Sequence, residues 1–316
     1  MSLFSTMRNL AALACLAGLA VPASAGLYGQ DFEVDPTANW AVNNGPSDFA
    51  ADFFFDYSTV GIPAAPSGAG SRGMKLQANQ SNGIFSGMSA SPIGLSLPGD
   101  YTVEFDWWGN FNGPFPAGSS GSTQLSTFGV GTSGTVAQWP GGAHDSVWFA
   151  ATVDGNSSVD WRAYSTAALA GYPDASPVFA AGAVAGNRNN SHPYYAGFGN
   201  NSAPAAQLAL YPQQTGTTLV GSAGMEWHQV DIVKSGTTAT WTVDGLLIAT
   251  IDLTTVTLSG NNIFFGHSDT NTSSSTDPND GALLFTLIDN INVTPEPASL
   301  ALLALGGMAL LRRRRA

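Results

Sequence analysis

Between Trp227 and Ile251 the sequence alternates apolar and polar residues and twice breaks that alternation with a turn dipeptide, Ser235-Gly236 and then Asp244-Gly245. Alternation at period two buries one face of an extended strand, and Asp-Gly supplies two positions that tolerate positive φ, as a tight hairpin turn of matching twist requires. The segment therefore predicts three consecutive antiparallel strands, at Trp227 to Lys234, Thr238 to Val243 and Leu246 to Ile251. Tyr101 to Trp107 repeats the pattern, with Tyr101, Val103, Phe105 and Trp107 on a core face and Thr102, Glu104 and Asp106 on a wet one. No long stretch of the body carries apolar residues at helical spacing, so the prediction is all-β.

Further strands are expected at Gly73 to Ala78, Ser126 to Val130, Ser146 to Val153, Asp160 to Tyr164 and Asn262 to His267. Gln30 to Glu33 and Leu283 to Val293 should pair as first and last strands. The stretch from Thr166 to Gly224, rich in Ala, Gly, Pro and Asn, is read as long loops carrying one or two strands. The three-strand meander, with Trp227-His228 before its first strand and Val243-Asp244-Gly245 before its third, resembles the concanavalin A-like (laminin G-like) jelly rolls. That resemblance implies one β-sandwich over residues 26–292, a length ample for a single large core.

Both ends read as addresses. Arg8, an apolar run from Leu10 to Val21, Pro22 and then Ala23-Ser24-Ala25 have the three parts of a secretory signal peptide, with cleavage after Ala25 and passage through the Sec translocon. At the other end Pro295-Glu296-Pro297 precedes an apolar run from Ala298 to Leu311 and the cluster Arg312, Arg313, Arg314 and Arg315. Those 14 apolar residues span about 21 Å as a helix, short against a hydrocarbon core of about 30 Å. The arginines settle the reading, because they fix a cytoplasmic end and can reach toward the headgroups. A transmembrane helix with the body outside is predicted over the tail, 293–316.

This tail closely resembles the PEP-CTERM sorting signal. The resemblance implies recognition by the membrane protease exosortase, removal near Pro295-Glu296-Pro297, and transfer from the inner membrane to the surface or extracellular matrix of a Gram-negative bacterium, in association with exopolysaccharide or biofilm. An ordinary tail anchor that is never cut is the alternative.

Charge narrows the partners. Residues 26–294 hold five cations against 21 acids, a net charge of −16, which repels phosphate backbones and argues against nucleic acid. The one cysteine, Cys15, sits in the N-terminal apolar run, so the exported body has no thiol for redox chemistry, zinc or nucleophilic attack.

Glu104 and Asp106, two apart on one strand face and about 7 Å between attachment points, resemble the Glu-x-Asp part of the catalytic strand in laminarinase-type glucanases. That family's motif continues to a second Glu, and Trp107-Trp108-Gly109-Asn110 supplies none. The site is therefore read as non-catalytic: a solvated strand face by default, or a sugar-binding groove using Glu104 and Asp106 with Trp108 as stacking platform. Trp139, Trp148, Trp161, Tyr194 and Tyr195 are further aromatic candidates. Asp269, Asn271, Asp277, Asn279 and Asp280 offer oxygens suited to calcium, without EF-hand spacing. Gly68-Ala69-Gly70-Ser71-Arg72-Gly73 fits a dinucleotide-loop pattern but is preceded by Pro63 and Pro66 and runs into strand-like Met74-Lys75-Leu76, so it reads as a loop entering a strand. His144, His192, His228 and His267 are scattered and form no zinc or triad spacing.

Three functions remain in view. The first is a structural or carbohydrate-binding module on the cell surface. The second is a secreted glycan hydrolase using Glu104 or Asp106, which needs a second carboxylate within about 5 to 10 Å. The third is a calcium-dependent adhesin.

Overall fold

The computed structural model describes residues 26–80, 84–116, 123–155, 157–182, 186–269 and 278–296. Both addressed ends lie outside these residues: Ala23 and Ala25 at the signal cleavage site, and the tail from Pro297 through Arg312, Arg313, Arg314 and Arg315. Among the described residues no helix is long and apolar enough to cross a membrane.

The strands are β1 (Tyr28–Gln30), β2 (Trp40–Asn44), β3 (Phe49–Asp56), β4 (Arg72–Ala78), β5 (Ser86–Pro92), β6 (Tyr101–Asn110) and β7 (Gln124–Thr132). They continue as β8 (Val147–Thr152), β9 (Trp161–Tyr164), β10 (Trp227–Ser235), β11 (Thr238–Val243), β12 (Leu246–Asp252), β13 (Asn262–Asp269) and β14 (Phe285–Pro295). They build a sandwich of two antiparallel sheets. One runs β12-β11-β10-β6-β14-β4-β3, with β1 also pairing β14, and the other runs β2-β5-β13-β7-β8-β9.

The meander forms as read: Asp244 and Gly245 turn the chain between β11 and β12 at φ of 49° and 77°. First and last strands also meet, the first beginning two residues earlier than expected, with Tyr28 opposite Val293 and Gln30 opposite Ile291. Between the sheets Phe105 meets Phe128 at 5.2 Å and Phe265 edge-on at 4.9 Å, while Trp241 stacks on Phe149 at 5.3 Å. Such offset and edge-to-face contacts are what aromatic quadrupoles prefer.

Two expectations need correction. The stretch from Thr166 to Gly224 contains no strand among its described residues; it holds a 3-10 turn at Pro193–Tyr195 and the short helix α1 (Ala205–Leu210). The outer face of β6 is not wet along its length. Beside Trp108 a second apolar cluster forms from Tyr57, Val60, Ile62, Phe111, Ala203 and Phe285, among others. Segments without strand periodicity thus cover half of the outer face, and Asp106 and Trp108 are buried beneath them.

Candidate functional site at the bulge of the last strand

The uncovered half of that face centres on an irregularity in β14. Asp289 pairs with Asp106 and Asn292 with Glu104, so Asn290 and Ile291 both oppose the single residue Phe105. Such a bulge bends the strand and re-aims its side chains. Asn290 accepts the required positive φ of 51°, which Asn tolerates better than most residues, while Ile291 turns into the core.

The bulge hands out hydrogen bonds in both directions. Asn290 Nδ2 donates to Asp106 Oδ2 at 2.8 Å, and Asn292 Nδ2 donates to Glu104 Oε2 at 3.0 Å. Asp106 also accepts from the Ser67 amide at 3.0 Å and the Ser67 hydroxyl at 2.7 Å. A carboxylate so engaged and fully buried is a fastener for the 57–71 loop, which corrects its reading as a sugar-binding or catalytic group. Glu104, by contrast, is half-buried and opens into a cleft of about 500 Å³, lined also by Gln30, Asp31, Ser67, Gln229 and Asn290.

Next to Glu104 stands a carboxylate that the sequence reading missed. Asp231 on β10 is the register partner of Glu104, which places their Cβ atoms about 4.5 to 5.5 Å apart. Burial, then the charges of Glu104 and Asp244, raise the Asp231 carboxyl above its ordinary range. Behind the bulge Asp289 accepts from the Tyr57 hydroxyl at 3.0 Å and the Asn290 amide at 2.7 Å. Burial, reinforced by Asp106 and Glu33, pushes Asp289 up to about 7.

The glycine-rich loop before β4 does hold an anion, and the anion is internal. The amides of Ser71 and Arg72 both donate to Glu33 Oε1 at 3.0 Å. A Cβ on Gly70, whose φ is 112°, would lie 2.0 Å from that same oxygen, so glycine is required for the carboxylate to approach.

The aromatic candidates are not platforms for this cleft. Trp108 is 2% exposed and its Nε1 donates to Asn110 Oδ1 at 3.0 Å. Trp148, Trp161 and Tyr195 are core residues. The half-buried Tyr194 donates its hydroxyl to the Leu247 carbonyl at 2.6 Å, and Trp139 packs on Phe85 at 5.5 Å.

Of the calcium set, Asn271 and Asp277 lie outside the described residues. Asp269 is buried and accepts from Asn79 Nδ2 at 2.9 Å and the Thr123 amide at 3.1 Å. Asp280 accepts from Asn112 Nδ2 at 3.3 Å, and Asn279 caps the short helix α2 (Asp280–Leu283), its carbonyl accepting from Ala282. Among the described residues no three His, Cys, Asp or Glu side chains gather as a metal site.

The histidines likewise serve the fold. His228 bonds Asp244 at 2.6 Å and the Ala223 carbonyl at 2.9 Å. His267 lies fully buried between Thr286 Oγ1, at 2.9 Å, and Gln124 Oε1. His144 bonds the Trp139 carbonyl at 3.1 Å, and His192 accepts from the Tyr194 amide at 3.2 Å.

Fold and site thus define a two-sheet β-sandwich with a polar cleft at the strand that leads into the tail. That tail is a PEP-CTERM protein-sorting motif, matched over residues 293–315, and it marks an exported protein held at a membrane and then released by cleavage. Among curated proteins none matches this sequence. Among solved structures the chain is similar to the metal-free carbohydrate recognition domain of Emp46p, with a TM-score of 0.42 and 9% identity over 86% of this chain and 98% of that one. It is similar to a Bacillus subtilis protein with a galectin-like fold, with a TM-score of 0.41 and 10% identity over 86% and 96%. The calcium-bound exoplasmic/lumenal domain of VIP36 gives 0.40 and 9% over 82% and 84%.

Proposed function

We propose that this chain is a surface or extracellular-matrix protein, delivered by exosortase processing of its tail, whose sandwich binds polysaccharide without cleaving it. The sorting motif supports the delivery half. The binding half rests on the bulge cleft, where Gln30, Asp31, Glu104, Gln229 and Asn290 line one hollow. Sugar hydroxyls pair with side-chain amides, which both donate and accept, and with carboxylates, which accept.

The cleft carries acids and amides and none of the five cations of the body. It therefore suits neutral or amine-bearing glycans and disfavours uronate-rich ones. Binding of the purified body to an exopolysaccharide panel tests this, with Glu104→Ala and Asn292→Ala as probes. Binding that both substitutions leave unchanged would move the ligand site elsewhere.

A second reading, a secreted glycan hydrolase, is favoured by one observation. Glu104 and Asp231 form an adjacent carboxylate pair across β6 and β10, with burial raising the Asp231 carboxyl above its ordinary range, and a pair of neighbouring carboxyls is what retaining glycosidases use. Asp231 takes the place first given to Asp106. Release of reducing ends from the bound glycan, abolished in Glu104→Gln, would establish this reading over the first.

A further inference from the structure

The sorting motif begins inside the body's own sheet. Val293, Thr294 and Pro295 stand in register with Val103, Thr102 and Tyr101 of β6. Beyond the strand the Glu296 amide still donates to the Asp100 carbonyl at 3.0 Å, and the Glu296 carboxylate accepts from the Thr102 hydroxyl. The opposite edge is also engaged at its start, where the Leu27 amide donates to the Val293 carbonyl at 2.7 Å.

An enzyme that reads an extended peptide does so largely through the peptide's backbone hydrogen-bonding groups, as an added strand does at a sheet edge. On the β6 side of residues 293–296 those groups already belong to the sheet, and the motif's glutamate is tied to Thr102. We propose that this docking is an autoinhibitory contact: the folded sandwich withholds Pro295 and Glu296 from the processing protease, and the tail is removed only when the end of β14 peels from β6. Strand ends open far more readily than whole sheets, so the contact sets a rate rather than a block. The inference rests on the sorting reading and adds to it a fold-dependent step.

The test follows full-length chain in exosortase-bearing cells, scoring precursor and mature forms by mobility over time. Thr102→Val keeps a β-branched residue in the strand and removes the hydroxyl donor, so processing should quicken by roughly fivefold, the share of one such hydrogen bond in the opening equilibrium. Thr102→Cys combined with Thr294→Cys joins register partners in a body that has no cysteine of its own. Its oxidised form should stay as precursor until reduced, while either single variant is processed.

Hydrogen exchange on the full chain gives an independent reading. The Glu296 amide should be protected in the wild type and less so in Thr102→Val; an unprotected amide overturns the docking. If the oxidised pair matures as fast as the wild type, the gate is refuted and the sorting reading stands. If the wild type itself never matures in these cells, both are refuted together.

Discussion

Replacing Asp289 by Asn should remove a component of this sandwich's stability that falls as pH rises. Asp289 is 3% exposed and is raised to about 7, first by burial and then by the neighbouring Asp106 and Glu33 charges. Because the folded value lies above the unfolded one, near 4, the native state binds this proton more tightly. The stabilisation is complete below about pH 4 and drains away as pH rises through about 7. A displacement of about three units at about 1.4 kcal/mol each makes the loss about 4 kcal/mol, an upper bound once neighbouring groups relax.

The amide introduced by Asp289→Asn would keep an acceptor for the Asn290 backbone N–H. Its new donor can point at the Tyr57 hydroxyl, which has the Gly70 carbonyl at 3.4 Å as another acceptor. Urea unfolding followed by tryptophan fluorescence at several values between pH 4 and pH 8 gives the stability of each protein. The difference, variant minus wild type, should climb by several kcal/mol across that window. A difference constant within about 0.5 kcal/mol would show that Asp289 ionises normally and that its burial has been misjudged.

His267 should act in the opposite sense. Burial depresses it to about 3, so its contribution is whole above about pH 6.5 and is lost as pH falls toward 3, up to about 5 kcal/mol; a His267→Gln variant that unfolds at the same acid midpoint as the wild type would refute this. Asp231→Asn should relieve the like-charge contact with Glu104 and raise the melting temperature by a few degrees at pH 8, and a fall would show that Asp231 has an unrecognised positive partner. Trp241→Ala empties the stack between the sheets and should cost about 3 to 5 kcal/mol, measurable by the same urea titration. Millimolar calcium should leave the melting temperature unmoved, since Asp269 and Asp280 are committed to amide donors; a rise of several degrees would reinstate the adhesin.

What could be read from residue order alone was local. The meander from Trp227 to Asp252 declared itself because each strand alternates and each turn carries its own chemistry. β5 escaped because Ser86–Pro92 is buried on both faces and is made of small residues with no alternation to detect. β2 and β3 escaped as well: β3 gathers Phe53, Phe54 and Phe55 in a row where its register to β4 slips, which hides the period.

At the site, Glu104 was legible and its partners were not. Asp231 and Asn292 reach it through register across strands 127 and 188 residues away, and nothing in sequence specifies that pairing. The one available signal was Asp289-Asn290, two polar residues in succession within an alternating run, as a bulge produces. Asp106 and Trp108 were misplaced for the complementary reason. The layer that covers them comes from segments such as 57–65 and 203–211, whose aperiodic sequence gives no hint of where they lie.

The position of β14 bears on how such a chain can be assembled. It is the last strand to be made, yet it lies in the interior of its sheet, clasped by β6 on one side and by β4 and β1 on the other. Until residues 285–295 have emerged, β6 and β4 each present a raw edge able to recruit a stranger's strand. The sheet can therefore lock shut only when its final stave slides home, because no set of earlier strands closes the gap between β6 and β4.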